Sequence, residues 1–141
     1  MPDFSKYAGE MLELLDVMLG EKPMSTKRYS MVENLGVKDM ETGVMLLPAN
    51  EGFGTTARIV HPKLKTGELK AGLSKIGYVE KKAEGSMVSY ELERGVEGLP
   101  DIVAVDALTG GLCTVELRTQ DRKKVLTPLK NVVERLAGAY L

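Results

Sequence analysis

The sequence contains one cysteine, one histidine and no tryptophan among its 141 residues. A single cysteine excludes a disulfide framework within the chain and favours a reducing compartment. A single histidine, His61, excludes a metal site built from several histidines, and we expect neither a metal nor a cofactor. The chain also lacks an apolar run of membrane-spanning length and an N-terminal signal pattern. We therefore expect a cytoplasmic protein.

The sequence also has no excess of positive or of negative charge. The 19 basic and 20 acidic residues give a net charge of −1, so the overall charge gives no reason to expect nucleic acid or a membrane as a partner. Apolar residues make up 43 % of the chain, which suits one globular domain over residues 1–141 with its own core.

Residues 101–119, with the sequence DIVAVDALTGGLCTVELRT, predict a β-hairpin. The short apolar run 102–105 is typical of a central strand, and Gly110 and Gly111 can supply the positive φ that tight turns require. Apolar and polar residues alternate in the return strand, which indicates one solvated face. Cys113 falls on its apolar side, so we expect a buried structural thiol rather than a nucleophile.

Amphipathic helices are predicted at both ends of the chain. Apolar residues recur at spacings of three and four over residues 4–19, and again between Val125 and Tyr140. Because proline is disfavoured inside a helix, we place the start of the last helix at about Pro128; a start near Asp121 with a kink is the alternative. We expect both helices to pair with those of a second copy, through Phe4, Met11, Leu15, Met18, Val132 and Leu136.

Shorter elements are predicted between the ends: a helix over 25–35, a strand over 44–47, a flexible Gly/Thr-rich segment over 48–62 that ends in a strand at Ile59 and Val60, a short helix over 62–73 and a hairpin over 78–93. This order predicts an α+β fold. We expect an antiparallel sheet of about five to six strands, with the N- and C-terminal helices packed on one face.

The segment 51–58, EGFGTTAR, is the strongest candidate for ligand contact. Its glycines allow close backbone approach, its hydroxyls add hydrogen bonds, and its arginine could hold an anion. It lacks the GK[ST] ending of a P-loop and the GxGxxG spacing, and an ordinary loop is the alternative. Because no base, nucleophile and orienting group can be named together, we predict no catalytic residue. The predicted ligand-binding residues are Gly54, Thr55, Thr56, Arg58 and His61.

Residues 63–93 allow a different interpretation, in which they bind nucleic acid. Six lysines, a Gly-Tyr step and a charged hairpin make this stretch resemble the recognition helix and wing of a winged-helix DNA-binding domain. Against this reading, the first two helices lie far upstream, with a strand and a glycine-rich segment between.

The closing pattern IVAVDALTGGLCTVEL, followed by a helix to the end, resembles the last part of GAF-type and profilin-like sensor domains over about the C-terminal third. In those families the first and last helices often pack side by side behind the sheet and often make dimers. The resemblance implies a pocket on the other face, covered by residues 50–58 and 61–78, although no cofactor-anchoring residue of the GAF families can be matched. The whole chain also resembles a small archaeal family found in methanogens, which implies no activity.

We therefore expect a small regulatory or small-molecule-sensing domain, dimeric and not an enzyme. The alternative is a winged-helix-type nucleic-acid-binding protein that uses residues 63–93.

Overall fold

A computed structural model of the chain describes residues 4–32, 36–51, 54–106, 112–117 and 123–140. These residues form α1 (Ser5–Met18), β1 (Tyr29–Val32), β2 (Gly36–Asp39), β3 (Met45–Glu51), β4 (Gly54–Val60), α2 (Thr66–Lys75), β5 (Tyr78–Glu84), β6 (Met87–Leu92), β7 (Ile102–Asp106), β8 (Leu112–Leu117) and α3 (Lys123–Gly138). Within them, no helix is both long and apolar enough to cross a membrane.

The strands form one antiparallel sheet in the order β1-β2-β3-β4-β8-β7-β6-β5. Each set of four consecutive strands is a meander, and the two meanders meet where β4 pairs with β8, with Ala57 opposite Val115 and Ile59 opposite Cys113. The predicted α+β class is confirmed. The sheet has eight strands rather than five to six, because residues 29–32 and 36–39 add two strands at one edge.

Both predicted hairpins are confirmed as antiparallel pairs. Strands β5 and β6 are joined by a turn in which Gly85 has a φ of +59°, and β7 pairs with β8. The predicted turn at Gly110 and Gly111 lies outside the described residues. Val103 and Val105 of β7 are fully buried, as expected for a strand near the middle of a sheet.

The helices form a layer that packs against the sheet. Helices α1 and α3 lie side by side, α1 over β3 and α3 over β4 and β8, while α2 contacts α3, β5 and β7. The predicted helix over residues 4–19 is confirmed, and the apolar spacing of three and four buries Met11, Leu14 and Leu15. Burial of each such side chain contributes roughly 1.5–3 kcal/mol.

The residues that we expected at a dimer interface lie inside one chain. Five of them are buried in the core that α1 and α3 share with the sheet: Phe4, Met11, Leu15, Val132 and Leu136. Met18 is partly buried against the same core. A side chain held in the core of its own chain is not available to a second copy, so an interface between copies has to use other residues.

The last helix begins at Lys123 and contains Pro128, so the predicted start at Pro128 is wrong and the earlier alternative is nearer. A proline inside a helix costs about 3 kcal/mol because it removes a hydrogen bond and crowds the preceding turn. The earlier turn brings Val125 and Leu126 into the core, where both are buried. Burial of two such side chains offsets the penalty.

The predicted helix over residues 25–35 is wrong. Residues 26–28 form a turn and Tyr29–Val32 form β1, while residues 33–35 lie outside the described chain. Strand β1 pairs with β2 in a register that places Tyr29 opposite Asp39, and Tyr29 is buried. Helix propensity is a weak signal over so short a stretch, and these long-range contacts override it.

The predicted strand at Ile59 and Val60 is confirmed, but it begins earlier than expected, at Gly54 within the Gly/Thr-rich segment. Gly54–Val60 is β4, hydrogen-bonded on one side to β3 and on the other to β8. Its threonines are β-branched and suit a strand, and its Ala57 and Ile59 are buried in the core. Gly52 and Phe53 lie outside the described residues.

The contact between α2 and α3 depends on a glycine. A Cβ atom at Gly72 would lie 2.7 Å from Cδ2 of Leu136, whereas one at Gly67 on the same helix would meet nothing within 4 Å. We expect Gly72→Ala to lower the free energy of unfolding by about 1–3 kcal/mol through overpacking, and Gly67→Ala to raise it by about 0.5 kcal/mol. Urea denaturation measures both.

A double mutant separates this contact from a general effect of alanine in α2. In a Leu136→Ala background the space is free, so Gly72→Ala should lose its penalty. An equal penalty in both backgrounds would contradict the close approach of the two helices.

Candidate functional site

An open groove of about 810 Å³ lies between the end of α2, the loop that joins β6 to β7, and the second half of α3. Small-molecule sites in proteins fall within roughly 300–1,000 Å³, so this groove is large enough for one. Its apolar lining comes from half-buried side chains of all three segments: Ile76, Val96, Leu99 and Ala139.

The loop side of the groove is held in place by hydrogen bonds. Asn131 Nδ2 on α3 donates to the carbonyl of Gly98 at 2.6 Å, and the buried Tyr78 hydroxyl donates to the carbonyl of Pro100 at 2.6 Å. Gly98 has a φ of +84°, a conformation that favours glycine. The loop is therefore fixed against the helix layer before any ligand binds.

The rim of the groove carries charges of both signs. Lys75 lies 4.1 Å from the centre of the Tyr140 ring and donates to the carbonyl of Ala139 at 3.5 Å, close to the carboxyl end of α3. Arg135 is exposed and makes no ion pair within the described part of the chain. Glu97 and Glu134 contribute the acidic groups. An arginine guanidinium at the rim can hold a carboxylate, sulfonate or phosphate through paired hydrogen bonds.

His61, the only histidine, is 1 % exposed beneath α1 and outside the groove. Its Nδ1 accepts the backbone N–H of Lys63 at 3.1 Å, so Nδ1 carries no proton and Nε2–H donates to Glu10. The Tyr7 ring packs on it at 4.6 Å between centroids. Because both nitrogens are occupied within the chain, His61 has no free lone pair to act as a general base.

A second polar cluster fixes β1 and β2 to α1. Arg28 donates to both carboxylate oxygens of Asp39, from Nε at 3.1 Å and from Nη2 at 2.9 Å, and to Glu13 on α1 at 3.0 Å. Burial would raise the pKa of Asp39, but hydrogen bonds from Arg28, from the Glu41 N–H and from Thr42 outweigh burial and lower it. The same bond to Asp39 raises the pKa of Arg28. The cluster therefore holds charged groups in a structural role.

The predicted ligand-binding residues do not converge on one site. Gly54 and Thr55 belong to β4, and nothing is described of the Thr55 side chain. Thr56 and Arg58 alternate along β4 with residues that face the helix layer, whereas His61 contacts α1. Successive side chains of a strand point to opposite faces of a sheet, so Thr56 and Arg58 lie on the face away from the helix layer, whereas His61 lies on the helix side.

The described residues do not form the three-helix arrangement of a winged-helix domain. Helix α2 lies between β4 and β5 in the chain, and its apolar side is buried with Leu69 and Leu73. The lysines of residues 63–93 are balanced by glutamates of the same stretch, with Lys70 3.9 Å from Glu80 and Lys82 2.6 Å from Glu84. This surface is mixed in charge rather than basic.

The sequence pattern gave no sign of the groove, because its lining comes from three segments far apart in the chain. The one local hint is the Gly- and Pro-rich stretch 95–100, which indicates a loop but not a site. Within the described residues, no group of three or more His, Cys, Asp or Glu side chains is placed to hold a metal ion. Comparison with protein-family models, curated proteins and solved structures finds no match for this chain.

The contacts of His61 make its chemical reactivity testable. We expect diethyl pyrocarbonate to modify it at least about tenfold more slowly than free histidine, equivalent to about 1.4 kcal/mol of protection. Glu10→Ala should raise the rate, while Glu13→Ala, one turn along α1, should leave it unchanged. Ultraviolet absorbance follows the reaction without interference because the chain has no second histidine. Modification at the free rate would contradict the described contacts.

The Arg28–Asp39 pair predicts a dependence of stability on pH. Because the pKa of Asp39 is lower in the folded chain than in the unfolded one, the pair stabilises the fold above the unfolded value of about 3.9. That stabilisation is lost as the pH falls through the lower folded-state value. We expect Asp39→Asn to lower the melting temperature at neutral pH and the difference from wild type to shrink in acid.

The exposed Glu41, whose Oε2 lies 3.4 Å from Arg28 Nε, provides the matched control. Glu41→Gln should change the melting temperature little, because an exposed ion pair contributes about 0–1 kcal/mol. A difference between Asp39→Asn and wild type that is independent of pH would refute the role assigned to this carboxylate.

Proposed function

We propose that the protein is a small regulatory or small-molecule-sensing domain whose ligand binds in the groove between α2, the β6–β7 loop and α3. The proposal depends on the combination of a groove of about 810 Å³ with an arginine at its rim, Arg135, that makes no ion pair with any residue that the structure describes. Half-buried apolar side chains in a concave surface favour an apolar ligand body, and Arg135 favours an anionic group on it.

We propose that the groove binds a ligand and does not catalyse a reaction. The groove brings together Lys75, Arg135, Glu97 and Glu134, but no histidine, cysteine, serine or threonine lines it. The described lining residues therefore include no hydroxyl or thiol nucleophile and no imidazole base. Its contents suit recognition of a ligand by charge and shape.

Assembly of two copies remains part of the proposed function. Five of the six terminal-helix residues expected at the interface are buried in the core of one chain, which favours a contact between copies through other residues.

Nucleic-acid binding through residues 63–93 has less support. This stretch contains six lysines and five glutamates, so its net positive charge, which phosphate contacts would require, is small. A gel shift at low salt that weakens steeply as salt rises would favour this alternative instead.

An anionic aromatic probe tests the groove. We expect 1-anilinonaphthalene-8-sulfonate to bind the folded protein at one saturable site, because it combines an apolar body with a sulfonate. Arg135→Glu should weaken its binding at least about tenfold, since a charge-assisted hydrogen bond is worth about 1.5–3 kcal/mol. Arg94→Glu makes the same charge change outside the lining and should leave binding unchanged.

Competition defines the ligand class. Octanoate should displace the dye while octanol, which has the same chain length and no charge, should not. Equal affinity of the dye for the wild type and for Arg135→Glu would contradict the proposal. Displacement of the dye by octanol at the same concentration as by octanoate would also contradict it. A cooperative thermal transition for each variant ensures that dye emission does not report a partly unfolded state.

A further inference from the structure

The two edges of the sheet differ in how they are protected from pairing with another strand. An exposed edge offers unpaired backbone N–H and C=O groups, and proteins block such edges with charges, prolines or bulges. Strand β5 at one edge has exposed charged residues along its length, and its register shifts between Glu80 and Lys82. Both features hinder the addition of a further strand there.

Strand β1 at the opposite edge has neither feature. Its sequence, Tyr29-Ser30-Met31-Val32, contains no charged residue and no proline, and it pairs with β2 without a register shift. Within the described residues, no strand pairs with the outer side of β1. Arg28, which directly precedes β1, is paired with Asp39 and Glu13 of the same chain.

Three of the described methionines are exposed, and one of them, Met31, lies on β1 itself. Met24, Met31 and Met40 are 44 %, 62 % and 58 % exposed, and only Ile102, at 40 %, joins them among the large exposed hydrophobic residues that the structure describes. The backbone N–H of Met40 donates to the carbonyl of Arg28 at 2.7 Å, which places Met40 beside the start of β1. Methionine is flexible and polarisable and is common at interaction surfaces.

We propose that β1 is the site where a second copy of this chain adds its own β1, so that the two sheets join edge to edge. This inference deepens the dimeric part of the proposed function by naming its surface, and it does not depend on the groove. Because β1 is uncharged, pairing it with itself sets no like charges opposite one another. Backbone hydrogen bonds would hold the pair, and Met31 of each copy would lie on its helix-side surface.

Strand geometry limits the register of such a pair. Met31 pairs with the buried Val37, so its side chain lies on the helix side of the sheet, and its neighbour Ser30 lies on the other side. If the two copies are related by a two-fold axis perpendicular to the sheet, their helix layers lie on the same face. Each residue of one β1 must then pair with a residue of the other β1 whose side chain points to that same face. The pair is therefore centred on Met31 or on Ser30, and Met31 then contacts its own copy or Tyr29 of that copy.

Light scattering after size exclusion tests the assembly at high micromolar concentration. We expect wild type at twice the chain mass of 15.4 kDa and Met31→Lys at the mass of one chain. Ile102→Lys, a matched change at the other exposed hydrophobic residue, should remain a dimer. A wild type that runs as one chain would contradict the proposal and leave the edge for a strand of another protein. A dimer unchanged by Met31→Lys would also contradict it.

Crosslinking keeps the test valid if Met31→Lys fails to fold. In a Cys113→Ser background, which has no native thiol, Met31→Cys should form a disulfide between copies in the Met31-centred register, and Ser30→Cys in the Ser30-centred register. Opposite Cβ atoms in an antiparallel pair lie about 4.5–5.5 Å apart, close enough for a disulfide after small shifts. No crosslink from either variant would overturn the proposed pairing. The groove proposal is tested separately, because a Met31→Lys monomer should still bind the dye in its groove.

Discussion

The packing of α1 and α3 over the middle of the sheet is the constraint on which the remaining structure depends. The two meanders meet at the β4–β8 pair, and α3 covers that junction while α1 lies beside it over β3. Because the apolar stripes of both helices are used inside the chain, they are unavailable for contacts with a partner. The proposed ligand groove at the end of α3 and the proposed pairing edge at β1 both lie on surfaces that this packing does not cover.

The polar groups near α1 strengthen the same packing. Glu10 and Glu13 lie one turn apart on α1; the first accepts from His61 and the second from Arg28. These two bonds connect the helix to the ends of β4 and β1, on the side of the sheet where α1 lies. A buried polar group needs a hydrogen-bond partner. These pairs therefore stabilise the packing of α1 and also restrict its position relative to the sheet. Both ring nitrogens of the chain's only histidine are thereby hydrogen-bonded within the fold.

Local periodicity explains which elements could be predicted. The terminal helices, α2 and the hairpins of β5–β8 have strong patterns, and all appear close to the expected places. Residues 29–32 carry a helical pattern but form β1, because their conformation depends on pairing with β2. The composition of residues 54–58 indicates a loop, whereas their β-branched threonines suit the strand that they form. Strand order and the groove depend on contacts between distant segments, about which a sequence pattern says little. The extra turn of α3 was missed because burial of Val125 and Leu126 outweighs the proline penalty.

The measurement that tests this arrangement most directly is an isotope-filtered NOE experiment on a mixture of labelled and unlabelled chains. Contacts between the apolar side chains of α1 and those of α3 should then appear only within a labelled chain, at any protein concentration. Strong α1–α3 contacts between labelled and unlabelled chains would show that the helices pack across two copies. That result would contradict the single-chain core from which the positions of the groove and the open β1 edge follow.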